Sequence, residues 1–263
     1  MVVGSANPVR AIAQHAALLR TVRSLGAHVT MIPFVHGAFD SVFAKDNAIY
    51  GREAGITHAL LATPRYEVRR REQGARARDL TRINVAVHAR PAPFEGGDVI
   101  VVEGCCVLLG HGFRSSRDAG PVLSELFGLP VVPLELAESS LYHLDTALAV
   151  LADGTALVCS DAFTPSAWRA LRALPLREII EVSRDEATRF ALNVVEIDDA
   201  IVTGADSDEL RHALEARGRR VIYTPLDEFQ RSGGSAACLL APVYELQRAT
   251  ATMPTAAMRS TAA

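Results

Sequence analysis

Cysteine is scarce in this chain and poorly placed for a structural role. Cys105, Cys106, Cys159 and Cys238 show neither zinc-ligand spacing nor a disulfide framework, so reduced thiols of a cytoplasmic protein are expected. Cys105 and Cys106, if on one strand, would point to opposite faces. Long apolar runs are also missing, and none reaches the length of a bilayer span. The opening residues, Met1 to Pro8, lack the basic-then-apolar order of a secretory signal. There is no polybasic block, and the formal charge is −3, which disfavours nucleic acid and membrane as partners. The nearest basic run, Arg65 to Arg82, is interrupted by Glu67, Glu72 and Asp79 and reads as a solvated helix face, with Arg71, Arg76 and Arg78 at the surface. No linker or shift of composition appears. One domain over residues 1–248 is expected, followed by an Ala- and Thr-rich frayed tail at 249–263.

What is abundant is apolar patterning: 49% of the residues are hydrophobic, enough for a sizeable core. Pro8–Leu25 has helical apolar spacing and stops at Gly26; His28–Pro33 reads as a strand. Ala48–Tyr50 and His58–Ala62 read as two strands, Arg65–Leu80 as a helix and Asn84–His88 as a strand. Three segments then resemble one another: Asp98–His111, Leu148–Asp161 and Leu192–Ala205. Each is an apolar strand, a turn on Glu-Gly, Asp-Gly or Asp-Asp, and a second apolar strand. Helical patterns follow at Ser116–Phe127, Pro165–Leu174 and Ser207–Arg217, then strands at Val131–Leu134, Arg177–Ile180 and Arg219–Tyr223. The unit is ββαβ with a period of roughly 45 residues, the mark of a repeat architecture. The first third fits the same unit. The N-terminal helix and strand would close the series with an apolar strand at Cys238. Units around a pseudo-rotation axis would direct their strand–loop junctions at one central site.

Four polar motifs sit at those junctions: Asp40-Ser-Val-Phe-Ala-Lys-Asp46, Glu95-Gly-Gly-Asp98, His143-Leu-Asp145 and the glycine-rich turn ending in Cys238. A thiol beside glycines and small residues has room for a ligand at sulfur and is a candidate nucleophile, although most free cysteines are only buried hydrophobes. His143 and Asp145, two apart on an extended segment, would share one face; His is the commonest general acid/base. Asp40 and Asp46 suit a cation, organic rather than metallic, since no His pair or calcium loop accompanies them. Arg114, with Arg69 or Arg70, could clamp a carboxylate.

Together these motifs, in this order, resemble the guanidine-modifying (pentein) superfamily, and most of all its dimethylarginine dimethylaminohydrolases. The resemblance covers nearly the whole chain. It implies a five-bladed α/β propeller of ββαβ units around a pseudo-five-fold axis. It also implies a cysteine hydrolase of an arginine-type guanidinium, releasing citrulline, with no cofactor and no metal. By that resemblance Cys238 is the nucleophile, His143 the acid and base, and Glu95 its orienting partner. Asp46 binds the guanidinium nitrogens, while Arg114 and Arg69 hold the substrate carboxylate; Asp40 and Asp98 are further candidate substrate-binding residues. Two features depart from the methylarginine pattern: Asp145, which resembles the deiminases' anchor for an unsubstituted guanidinium, and Lys45, where an acid or Arg is usual. A compact arginine deiminase, an amidinotransferase and a non-catalytic ribosome-binding propeller are the alternatives. The partner expected is a small guanidino compound; a homodimer is left open. Met31–Asp40 and Glu135–Tyr142 are candidate lids by length and composition.

Overall fold

The computed structural model describes residues 6–246. The expected tail at 249–263 lies outside the described residues. The chain begins with α1 (Pro8–Ser24), whose first turn is capped by Asn7: its Oδ1 accepts from the backbone N–H of Val9 and Arg10. The first unit follows as β1 (Ala48–Glu53), β2 (Ile56–Leu61), α2 (Glu67–Arg82) and β3 (Ala86–Ala89). The second is β4 (Val99–Val102), β5 (Cys106–His111), α3 (Gly120–Phe127) and β6 (Val131–Glu135). A single turn, α4 (Leu144–Ala147), leads into β7 (Leu148–Val150), β8 (Thr155–Val158), α5 (Pro165–Arg172) and β9 (Glu178–Glu181). After α6 (Arg184–Thr188) come β10 (Val195–Ile197), β11 (Ala200–Thr203), α7 (Asp208–Glu215) and β12 (Arg220–Tyr223). Two further turns, α8 (Asp227–Gln230) and α9 (Ala236–Leu239), lead to β13 (Val243–Glu245).

Every unit has the same topology. Its first two strands are antiparallel, and its third runs parallel to the second across the helix. That placement explains the apolar runs seen in the sequence. The second strand is central in its sheet, so Val107, Leu108 and Leu109, or Ala156, Leu157 and Val158, are buried on both faces. Turn chemistry sets the hairpins: Gly104 and Gly154 take φ of 68° and 84° there. β13 joins β1 in parallel and ties the end of the described chain to the first sheet.

The structure corrects several sequence expectations. His28–Pro33 forms no strand and pairs with none among the described residues. Cys238 lies in the turn α9, not in a strand. Asp145 lies in α4, so it does not share an extended segment with His143. Arg76 is fully buried: its guanidinium donates to Pro33 O and Ser41 O at 2.9 and 3.1 Å, fastening the 33–41 loop to α2. Cys105 falls outside β5, and its sulfur lies 3.6 Å from that of Cys106.

Candidate active site

One position in the repeat supplies nearly every polar side chain of the site: the turn entering a unit's first strand. Asp46 stands there before β1, Glu95 to Asp98 before β4, His143 to Asp145 before β7 and Asn193 before β10. Cys238 stands in the turn α9, ahead of β13, the strand added beside β1. The pseudo-symmetry thus brings residues 46, 95, 143, 193 and 238 to one place.

His143 is held from two sides. Its Nε2 is 3.0 Å from Glu95 Oε2, and its Nδ1 is 3.7 Å from Asp46 Oδ1. Burial alone would lower its pKa, but Asp46, Glu95 and Asp98 overcome this and raise it to about 9. The ring is therefore an imidazolium at neutral pH. Burial likewise works against the Asp46 carboxylate, yet His143, Arg69, Lys45 and Arg114 hold it below its ordinary range. The glycine pair of the Glu95 motif is steric. A Cβ on Gly97 would lie 2.7 Å from Asp46 Oδ1 and 2.8 Å from His143 Nδ1. Gly97 also donates its backbone N–H to Asp46 Oδ1 at 3.0 Å.

Cys238 is buried and its thiol is held well above its usual pKa, first by burial and then by the charges of Asp145 and Asp46; Lys45 works the other way. Asn193 fixes it: Nδ2 donates to Sγ at 3.2 Å, and Oδ1 accepts from the Cys238 N–H at 3.2 Å. Asn193 was missed in the sequence, where it lay inside an apolar hairpin; its register with the other site turns was the available signal.

Other expected residues take different places. Asp98 has both oxygens engaged, one by Ser115 Oγ at 2.6 Å and the other by the Leu144 N–H at 3.0 Å. Burial raises its pKa to about 7. It therefore braces the backbone beside His143, with a partner on each oxygen. Arg69 is turned inward, with one nitrogen 2.6 Å from Asp46 Oδ2 and Nε 3.6 Å from Asp40 Oδ2. Asp40 thus holds Arg69, and Arg69 balances Asp46. Arg114 is more open. Its guanidinium lies between the rings of Tyr66 and Tyr142, 4.8 and 4.5 Å from their centroids, and 3.3 Å from Glu95 Oε2. Lys45 Nζ is 3.0 Å from Asp145 Oδ2.

Two buried carboxylate oxygens of this cluster, Glu95 Oε1 and Asp145 Oδ1, have no hydrogen-bond partner among the described residues. A buried acceptor left unpaired costs about 1–3 kcal/mol, so the site calls for a ligand rich in N–H donors. Asp46, Glu95 and His143 could share a metal ion, their ligand atoms lying within 4.8 Å of one another. Arg69 and Arg114 already pair with the two carboxylates, which leaves the set less negative charge to offer a metal ion.

The family model for eukaryotic N,N dimethylarginine dimethylhydrolase matches residues 4–245. The chain belongs to this dimethylarginine hydrolase family. The N(G),N(G)-dimethylarginine dimethylaminohydrolase of Mycobacterium tuberculosis is 32% identical over 233 residues, covering 88% of this chain and 75% of that protein. The bifunctional arginine dihydrolase/ornithine cyclodeaminase AgrE of Nostoc sp. is 36% identical over 157 residues, 58% of this chain but only 22% of that larger protein. Among solved structures, the product-bound N-terminal domain of the cyanobacterial arginine dihydrolase ArgZ has a TM-score of 0.85 at 30% identity, over 92% of this chain and 89% of that one. The fold of the family is the five-bladed α/β propeller that the resemblance implied, and its named members act on C–N bonds of guanidino compounds.

Proposed function

We propose that this chain hydrolyses a C–N bond of an arginine-type guanidinium, with Nω-methylated arginine as substrate and citrulline plus methylamine or dimethylamine as products. The observation that carries the reading is the pair of unsatisfied buried carboxylate oxygens beside a thiol fixed by Asn193. A guanidinium supplies the missing N–H donors and a cation for the acidic cluster. Its positive charge also lowers the thiol pKa once bound, so the thiolate forms as substrate docks and its proton leaves to solvent.

The Cys238 thiolate adds to the guanidinium carbon. His143, protonated, gives its proton to the departing nitrogen, and the C–N bond breaks to leave a thiouronium on sulfur. The neutral imidazole then takes a proton from water, and the hydroxide adds to the same carbon. Collapse expels the thiolate and forms the ureido carbonyl, and the proton released is equivalent to the one lost at docking. Glu95 keeps His143 oriented throughout, and Arg114 binds the substrate carboxylate.

A second reading, free arginine as substrate, is favoured by the likeness to ArgZ, an arginine dihydrolase. Citrulline release from arginine, monomethylarginine and asymmetric dimethylarginine, with Cys238→Ala as control, tests both. Methylated turnover that exceeds arginine turnover and vanishes in the variant is expected. Arginine turnover alone would select the second reading, and no citrulline from any of them would refute both.

A further inference from the structure

Lys45 and Asp145 form a buried pair that the chemistry above leaves without a task. Their side chains are 9% and 4% exposed, and Nζ lies 3.0 Å from Oδ2. Burial would discharge Lys45, but Asp145, Tyr244 and Cys238 keep it protonated. The same Oδ2 is the oxygen that faces Cys238, 3.9 Å from Sγ, while Oδ1 has no partner. Both residues also border a cavity of about 1380 Å³, which neither Cys238, His143, Glu95 nor Asp46 lines. Asp145 is therefore shared: one oxygen belongs to an internal ammonium, the other is open.

That division bears on which guanidine fits. An unsubstituted guanidinium edge presents two parallel N–H bonds and is bound best by two carboxylate oxygens in a fork. With Oδ2 occupied, only Oδ1 is left to receive one N–H. The net charge of the pair is zero, so its pull on a cation is small. A methylated nitrogen, with fewer hydrogens to place, loses less from this arrangement than a bare one.

We propose that Lys45 is a specificity-determining residue: by pairing with Asp145 it removes the two-oxygen acceptor that favours free arginine and turns the site toward Nω-methylated guanidines. This rests on the guanidine-hydrolase reading given above. Lys45 also offsets the charge of Asp145 next to the thiol, so it acts on Cys238 whether or not a substrate is present.

The test compares wild type with Lys45→Met and Lys45→Arg. The ratio of kcat/KM for arginine to that for asymmetric dimethylarginine is expected to rise about tenfold or more in Lys45→Met and to change much less in Lys45→Arg. The pH midpoint for alkylation of Cys238 by iodoacetamide is expected to move upward in Lys45→Met, which a merely structural lysine would not cause. Asp145→Asn added to Lys45→Met is expected to reverse both shifts. An unchanged ratio in a folded Lys45→Met protein overturns the proposal, as does a wild type that prefers arginine. If Lys45→Met does not fold, Asp145→Asn alone decides: equal losses for both guanidines uphold the proposal, and a selective loss of arginine overturns it. Failure of the underlying reading looks different: wild type turns over neither guanidine and Cys238→Ala binds neither, which removes Lys45's role in selection together with the substrate class.

Discussion

Asn193 grips Cys238 with both ends of its amide, Nδ2 on the sulfur and Oδ1 on the backbone N–H, each at 3.2 Å. Nδ2 also donates to the Asp145 carbonyl at 3.1 Å, so one side chain links the turn before β7, the turn before β10 and the nucleophile. Replacing it by Ala leaves the sulfur without its donor and frees its rotamer. A drop in kcat of about 100-fold is expected, from misplacement of the nucleophile alone, with KM changed far less. Steady-state kinetics on Asn193→Ala check this; a fall in kcat below about threefold would mean that the amide does not position the sulfur.

His143 gives a pH dependence with a definite sign. Its folded pKa, about 9, lies above its ordinary value of 6.5. The folded state therefore binds the proton more tightly, so the stabilisation is complete below pH 6.5 and is lost as pH rises through 9. It amounts to roughly 3 kcal/mol for a fully buried group. Thermal unfolding from pH 6 to 10 should show wild type losing stability relative to His143→Gln across that window. In activity, kcat/KM should fall above about pH 9 as the general acid is lost; an alkaline limb near pH 7 would contradict the assignment.

Gly97 is placed where no side chain fits. Gly97→Ala would drive a methyl between Asp46 and His143, at 2.7 and 2.8 Å from their polar atoms. A stability loss of about 1–3 kcal/mol is expected, together with a fall in kcat larger than any change in KM, because the methyl displaces His143, the proposed general acid. Calorimetry and kinetics on this one variant separate the two effects.

Arg69 and Arg114 should behave differently although both stand in the acidic cluster. Arg69 is buried against Asp46, Asp40 and Glu72, so Arg69→Met leaves uncompensated carboxylates and should cost about 3–5 kcal/mol of stability. Arg114→Lys keeps a charge but loses the stacking between Tyr66 and Tyr142 and the planar fork. Its main effect should be a KM raised about tenfold or more for the amino-acid substrate, with little change in unfolding temperature. The opposite pattern would exchange the two roles.

The repeat was legible because each hairpin reports itself through turn residues and each central strand through a run of apolar residues, as at Asp98–His111. Cys238, His143 and Glu95 could be singled out as candidates because they stand at strand–loop junctions of the repeat, while the roles proposed for them came from the resemblance. What failed depended on contacts between distant segments. Nothing local shows that Arg69 faces Asp46, that Arg76 is buried under a loop, or that Asp98 is claimed by Ser115. The strand expected at His28–Pro33 failed for a similar reason: β character needs a partner, and a single segment carries no information about whether one is present. Lys45 was visible as an oddity, but its meaning required the distance to Asp145.

The covalent step is the most direct point of attack. Intact-protein mass spectrometry of the enzyme, acid-quenched during turnover of asymmetric dimethylarginine, should show a mass gain over the thiol form equal to the neutral substrate less dimethylamine, located on the peptide containing Cys238 and absent from Cys238→Ala. Citrulline formed with no such adduct at any quench time, or formed undiminished by Cys238→Ala, would contradict nucleophilic catalysis by this thiol.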